Sequence, residues 1–278
     1  MLSWVAFCIG VVGWAATVAS VVETTVVPRG TKSRITRVVS AWVQWMFQTI
    51  ADRFERWERR DRVWALSGPT FLMTLLAVWL LLLLGSITLV LVPFGDNSLG
   101  DAFLEAGSSL LTLGLATPDQ AMPTAIAFIG AATGLIVVAL QIAYLPTLYA
   151  AFNRRELQVT ILDSLGGSPA WGPEVLARFS LIDGIDGLDD LYVRWTDWAA
   201  DLSESHAAYQ SLVYFRSPKP TRSWVVAFLA ILDAAALHLA VCPETAPKSA
   251  RRLLRVGYRS MQDIAEALGT TAAPPPAE

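Results

Sequence analysis

Long apolar runs alternate along the chain with stretches dense in charge. Leu2 to Val22 is apolar over roughly the ~20 residues that a hydrocarbon core requires, and Glu23 closes it. No basic segment precedes this run as a signal peptide would need, so residues 1–27 are predicted as a retained transmembrane helix. Thr70 to Phe94 and Thr124 to Tyr149 are further runs of spanning length, the first with Pro69 at its start and the turn residues Pro93, Gly95, Asp96 and Asn97 at its end. Ser223 to Val241 is long enough as well, but Asp233 and His238 interrupt it. Basic residues flank it on both sides, Lys219 and Arg222 before, Arg251 and Arg252 after. Crossing would strand one basic cluster outside, so a buried helix in a soluble domain is predicted there.

Between the first two runs, residues 28–68 form a basic linker, with Arg29, Lys32, Arg34 and Arg37 at one end and Arg53, Arg56, Arg59, Arg60 and Arg62 at the other. Val39, Trp42, Val43, Met46, Ile50, Phe54 and Trp57 recur at helical spacing within it. The pattern predicts one amphipathic helix, too short in its apolar part to span. The excess of arginine puts this loop in the cytoplasm. The second run then crosses outward and the third returns, which leaves Arg154 and Arg155 inside, the N-terminus outside and the C-terminus cytoplasmic, in the inner (plasma) membrane.

Composition agrees with a division into a membrane part and a soluble part: 54% hydrophobic residues, 16% charged residues and a mean hydropathy of +0.47. Cys8 and Cys242 have no metal-ligand spacing and are expected as free thiols. Residues 156–269 read as a helical cytoplasmic domain, with helices at Pro173–Phe179, around Trp195 to Tyr209, at Ser223–Val241 and at Pro247–Leu268, Gly269 following as a cap. The tail 270–278 has nothing to bury and is expected to be disordered.

Two motifs in this part invite chemistry. The acidic run Asp183–Asp190 lacks the alternate ligands and distal glutamate of a calcium loop and reads as a solvated turn. Asp201, Ser203, Ser205 and His206 share one short helix, so no catalytic triad is expected and the chain is not read as an enzyme. In the loop Tyr214–Trp224, Arg216 or Arg222 is expected to pair with Asp233, which needs a partner in an apolar helix.

The stretch between the second and third spans, about Pro93 to Pro123, is too long for a hairpin turn and apolar in its middle. It accommodates a re-entrant helix, Leu99–Leu111, followed by extended backbone, Thr112–Ala116. Non-helical backbone at membrane depth survives only when buried in protein or lining a wet cavity. Carbonyls on such backbone can replace the water shell of an ion, and the carboxyl end of a helix favours a cation. Asp96, Asp101, Glu105 and Asp119 are the charges of Gly95–Met122, with no lysine or arginine among them, so the outer field attracts cations. On the third run Gly130, Thr133, Gly134, Val137 and Gln141 share a small, weakly polar face suited either to lining a cavity or to close helix packing. Gly134 is a candidate hinge, and Pro146 a bend where a gate would sit.

The order outer helix, pore helix, filter, inner helix over residues 69–155 resembles the tetrameric potassium channels and their two-transmembrane-type pore domains. Set on that family's filter TVGYG, Thr112 falls on the threonine, Leu113 on the valine, Gly114 on the first glycine, Leu115 on the tyrosine and Ala116 on the second glycine. The resemblance implies an all-α membrane protein with a pore domain (outer helix 70–94, pore helix 99–111, filter 112–116, inner helix 124–149), an extra N-terminal span and a helical cytoplasmic domain. It implies a homotetramer that conducts a monovalent cation, potassium foremost, without cofactor, catalytic residue or other metal. Ala116 stands where left-handed backbone favours glycine, and Leu115 lacks the tyrosine hydroxyl that braces the filter. The contrasting expectation is a non-conducting membrane scaffold or sensor that acts through its cytoplasmic domain.

Overall fold

The computed structural model describes residues 2–27, 33–94, 98–116, 118, 120–182, 184, 187–219 and 221–268. The expected cap Gly269, the tail 270–278, the acids Asp96, Asp119, Asp183 and Asp186 and the basic residues Arg29 and Lys32 lie outside them. The regular elements among the described residues are all helices: α1 (Leu2–Thr25), α2 (Arg34–Ala51), α3 (Trp57–Ala65), α4 (Ser67–Leu91), α5 (Leu99–Leu110), α6 (Ala121–Gly166), α7 (Gly172–Ile182), α8 (Gly187–Ala208), α9 (Trp224–Val241) and α10 (Lys248–Ala267), with 3-10 turns at Val92–Phe94 and Gln210–Tyr214. Four helical stretches are long and apolar enough to cross a membrane: Leu2–Thr25, Trp57–Phe94, Ala121–Leu165 and Trp224–Val241. Two compact units divide the chain, one of Met1–Met46 with Pro69–Thr147, the other of Phe47–Gly68 with Leu148–Glu278.

In the first unit α1 and α4 run antiparallel, because small residues let their backbones approach closely. A side chain added at Gly10 would lie 2.6 Å from the Ser86 carbonyl and 2.8 Å from Val90, and one added at Gly13 would lie 2.7 Å from the Ser86 hydroxyl. Further along α1, Ser20 accepts a hydrogen bond from Trp79 Nε1 at 3.0 Å. Trp14 Nε1 donates to Thr133 Oγ1 at 3.2 Å, which fixes α6 beside α1 in the same direction. Trp4, Phe7 and Phe94 pack edge to face at one end. Outward positions are apolar too, among them Val5, Ile9, Val12, Met73, Leu81, Leu135, Ile136 and Ile142. Helices apolar both inside and outside the bundle are compatible with insertion in a membrane.

Hydroxyls seat the start of α2. Thr24 Oγ1 donates to the Ser20 carbonyl at 2.8 Å, so its bond with Thr36 Oγ1 at 2.9 Å must take its proton from Thr36. Ser33 therefore donates to Thr36 at 2.9 Å, and Ser20 donates to Ser33 at 2.6 Å. The direction of the whole chain follows: Trp79 N–H, Ser20, Ser33, Thr36, Thr24, Ser20 carbonyl. Every hydroxyl in it donates once, as a buried polar cluster in an apolar bundle requires.

The linker is two helices instead of the single one expected. α2 buries Val39, Val43, Phe47 and Ala51, one in every fourth position, and leaves Trp42 and Trp45 exposed. After Ala51 the chain turns, and Arg60 of α3 reaches back to Asp52 at 2.9 Å. α6 also runs past the expected end near Tyr149 to Gly166. Hydropathy marks where an apolar segment stops, whereas a helix stops at a breaker, and none follows Pro146 until Gly167 with φ +85°.

In the second unit α7, α8, α9 and α10 enclose a core built on Trp195, Trp198 and Phe228, whose rings lie 4.7 to 6.3 Å apart. α9 is as apolar as a span, yet Ala227, Phe228, Ala230, Ile231, Ala234, Ala235 and His238 are buried in this core. α8 and α10 run parallel, tied by Ser249 to Asp189, Ser260 to the Ala199 carbonyl at 2.9 Å and Ser203 to Asp263 at 3.1 Å. Arg155, 1% exposed, donates to the carbonyls of Leu212 and Phe215 at 3.2 and 2.7 Å and to Glu156 at 3.0 Å, closing the 3-10 turn onto α6. The pairing expected for Asp233 is corrected: Asp233 is exposed and needs no partner, while Arg216 pairs with Asp61 and Arg222 with Asp163, each at 2.6 Å.

Candidate functional site

α5 begins at Leu99, with Ser98 as its N-cap. Asp101 accepts from the Ser98 backbone N–H and hydroxyl, both at 3.0 Å, which satisfies the first turn and sets the entry of the helix. Its observed range, Leu99–Leu110, is one residue shorter than predicted. Its far end rests on α6: a side chain at Gly134 would lie 2.1 Å from the Leu110 carbonyl oxygen, and one at Gly130 would lie 3.0 Å from Ser109 Oγ. Gly107 faces Leu84 of α4. At about 1.5 Å per residue, the contact at Gly134 is roughly 20 Å along α6 from Ala121.

After Leu110 the chain continues without helix. Thr112 has φ 54° and Gly114 φ 68°, so left-handed residues alternate with ordinary ones over Thr112–Leu115. Glycine enters that region freely, whereas a β-branched threonine does so at a cost. The expected cost at Ala116 is absent, since its φ is not positive. Thr112 and Leu113 donate from their N–H groups to the carbonyls of Ser109 and Ser108 at 3.0 and 2.8 Å. Thr124 Oγ1, at the start of α6, donates to the Gln120 carbonyl at 2.7 Å, with the Pro118 carbonyl 3.3 Å away.

Ser108 belongs to the same candidate site, though the sequence pattern does not single it out. It is 3% exposed, its Oγ accepts the Ala116 N–H at 2.9 Å, and it donates to the Ala116 carbonyl at 3.2 Å. A small hydroxyl in the last turn of a helix that runs into extended backbone was the available signal.

Of the residues expected in the filter, Thr112, Leu113, Gly114 and Leu115 are exposed on the single chain, Leu115 by 71%, and Ala116 is half-buried. Gly130, Thr133, Gly134 and Gln141 share a buried face of α6. Within the chain that face is occupied by close packing on the end of α5 and by the bond from Trp14, the second of the two uses the sequence allowed. Gln141 Nε2 is buried without a partner among the described residues, and Pro146 is exposed inside α6. Glu105 Oε1 is buried without a partner among the described residues, beside a cavity of about 150 Å³ lined by Leu91, Val92, Leu99, Ala102 and Pro123. Among the described residues no group of three or more His, Cys, Asp or Glu is placed to hold a metal ion.

No family model, curated protein or solved structure matches the chain. Fold and site together define an all-helical protein whose apolar helices are compatible with membrane insertion.

Proposed function

We propose that the chain is a subunit of a cation channel, four copies of which bring Thr112–Ala116 together on one axis. The observation that carries this is the path of α5 and the segment after it: a helix that ends deep among apolar helices, then backbone alternating at Thr112 and Gly114 and held by Ser108. Such backbone turns carbonyl groups away from helical bonding, and a ring of them can replace a cation's water. The carboxyl end of α5 adds partial negative charge there. One chain cannot surround an ion, so a closed ring is required. The permeating ion in this account is monovalent, potassium foremost. α6 carries the gate near Pro146, and the N-terminus lies outside the inner membrane with residues 156–269 in the cytoplasm.

The buried packing of Gly130 and Gly134 favours a second account, a non-conducting scaffold or sensor in which α5 only stiffens the bundle. Flux separates the two. Purified full-length protein in liposomes with a potassium gradient is expected to carry a cation current, and Gly114→Ala, which puts a side chain at φ 68°, to reduce it at least tenfold. Absence of current from properly oligomeric protein would leave the scaffold.

A further inference from the structure

In the second unit two neighbouring parallel helices present opposite charge to their surroundings. On α10, Lys248, Arg251, Arg252, Arg255 and Arg259 precede the first acid, Asp263, and all five are exposed. None of them forms an ion pair among the described residues. Their positions recur every three or four residues, so they lie on one face, opposite the buried Ala250, Leu253, Gly257 and Ser260. On α8, Asp189, Asp190, Asp197, Asp201 and Glu204 stand against a single arginine, Arg194. Asp189 is held by Ser249 and Asp201 by Arg154, whereas Asp190 and Asp197 are exposed without an ion pair among the described residues. Each face also offers a partly exposed apolar anchor, Val193 on α8 and Tyr258 on α10.

We infer that the basic face of α10 docks on the acidic face of α8 of a second copy of this chain. A ring of identical subunits needs two different, complementary patches on each one, joined head to tail. The two faces match in sign and in length. At about 1.5 Å per residue, Lys248 to Arg259 spans roughly 16 Å and Asp190 to Glu204 roughly 21 Å. An anionic lipid surface would explain α10 alone, whereas a second copy uses both helices. Opposed potentials of this kind set register and partner choice and weaken with salt.

The inference rests on the ring described above for its symmetry, and mixing variants tests it separately. One full-length variant carries Arg252→Glu, Arg255→Glu and Arg259→Glu, another Asp190→Lys and Asp197→Lys, and the oligomer mass of each is followed against concentration in detergent at low salt. Each variant alone is expected to assemble only at about tenfold higher concentration than wild type, or more. Mixed one to one, they are expected to recover wild-type assembly, since reversed α10 of one meets reversed α8 of the other. Recovery on mixing also shows that neither variant is merely misfolded. Variants that assemble like wild type and conduct would overturn the interface and leave the pore intact. Failure of the mixture to recover overturns the interface as well. Wild type that is monomeric throughout overturns both.

Discussion

Ser108 holds both backbone polar groups of Ala116, accepting its N–H at 2.9 Å and donating to its carbonyl at 3.2 Å. The extended segment is therefore fastened to α5 by one hydroxyl. Ser108→Ala removes both bonds and leaves a half-buried N–H unpaired, at a cost of about 1 kcal/mol. Ser108→Thr keeps the hydroxyl. In proteoliposome recordings the alanine variant is expected to change the ratio of potassium to sodium permeability and the threonine variant to retain it. Equal ratios in all three proteins would show that this contact has no part in conduction.

The seat of α5 on α6 gives a second expectation. Gly134→Ala would place a methyl group 2.1 Å from the Leu110 carbonyl, a backbone atom that cannot swing away. Overpacking of this kind costs about 1–3 kcal/mol or more. Gly85→Ala, in open space on α4, is the control and is expected to be neutral or slightly stabilising. Thermal unfolding in detergent should separate the two by several degrees, and equal midpoints would contradict the packing described.

The hydroxyl chain from Trp79 to Thr24 gives a third. Ser33 is its middle link, donating to Thr36 and accepting from Ser20. Ser33→Ala leaves Ser20 without its acceptor and the Thr36 N–H without its partner, at about 1–3 kcal/mol. Hydrogen exchange at the first turn of α2 is expected to quicken about tenfold or more while the turns of α9 stay protected. Unchanged exchange would mean that these hydroxyls do not seat the helix.

His206 gives a dependence on pH. Burial holds the imidazole well below its ordinary value, at about 4, despite its bond to the Leu202 carbonyl, and the nearby Arg155 charge adds to the depression. The unfolded chain takes up a proton near 6.5 and the folded chain near 4, so between these values the unfolded state binds more protons and stability falls as pH falls. The full loss, reached near pH 4, is on the order of 3 kcal/mol. His206→Gln is expected to flatten the unfolding midpoint between pH 6.5 and 4. A slope equal to wild type would place the titration elsewhere.

Much of the architecture is legible in the sequence because apolar runs, turn residues and arginine placement are local signals. The first three long apolar helices, the short helix before Thr112 and α7 to α10 follow from such signals. What the sequence left open was tertiary. Arg216 and Arg222 meet Asp61 and Asp163, which lie 155 and 59 residues away, and no local pattern announces such pairs. Trp42 fits the apolar periodicity of α2 but stands exposed, since a residue's face is set by what packs on the helix. Around the candidate site, Thr112 and Gly114 could be named, while the brace from Ser108 depends on how the chain folds back. The glycine stripe on α6 was visible too, yet only the structure brings Leu110 onto Gly134.

The central claim is that Thr112–Ala116 of several copies meet on one axis. Electron microscopy of the full-length protein in lipid nanodiscs tests it most directly. The account predicts fourfold symmetry, with Gly114 of every subunit beside the axis and α5 pointing its carboxyl end towards it. A monomer, a twofold dimer, or a ring with residues 112–116 on its lipid-facing rim would contradict it.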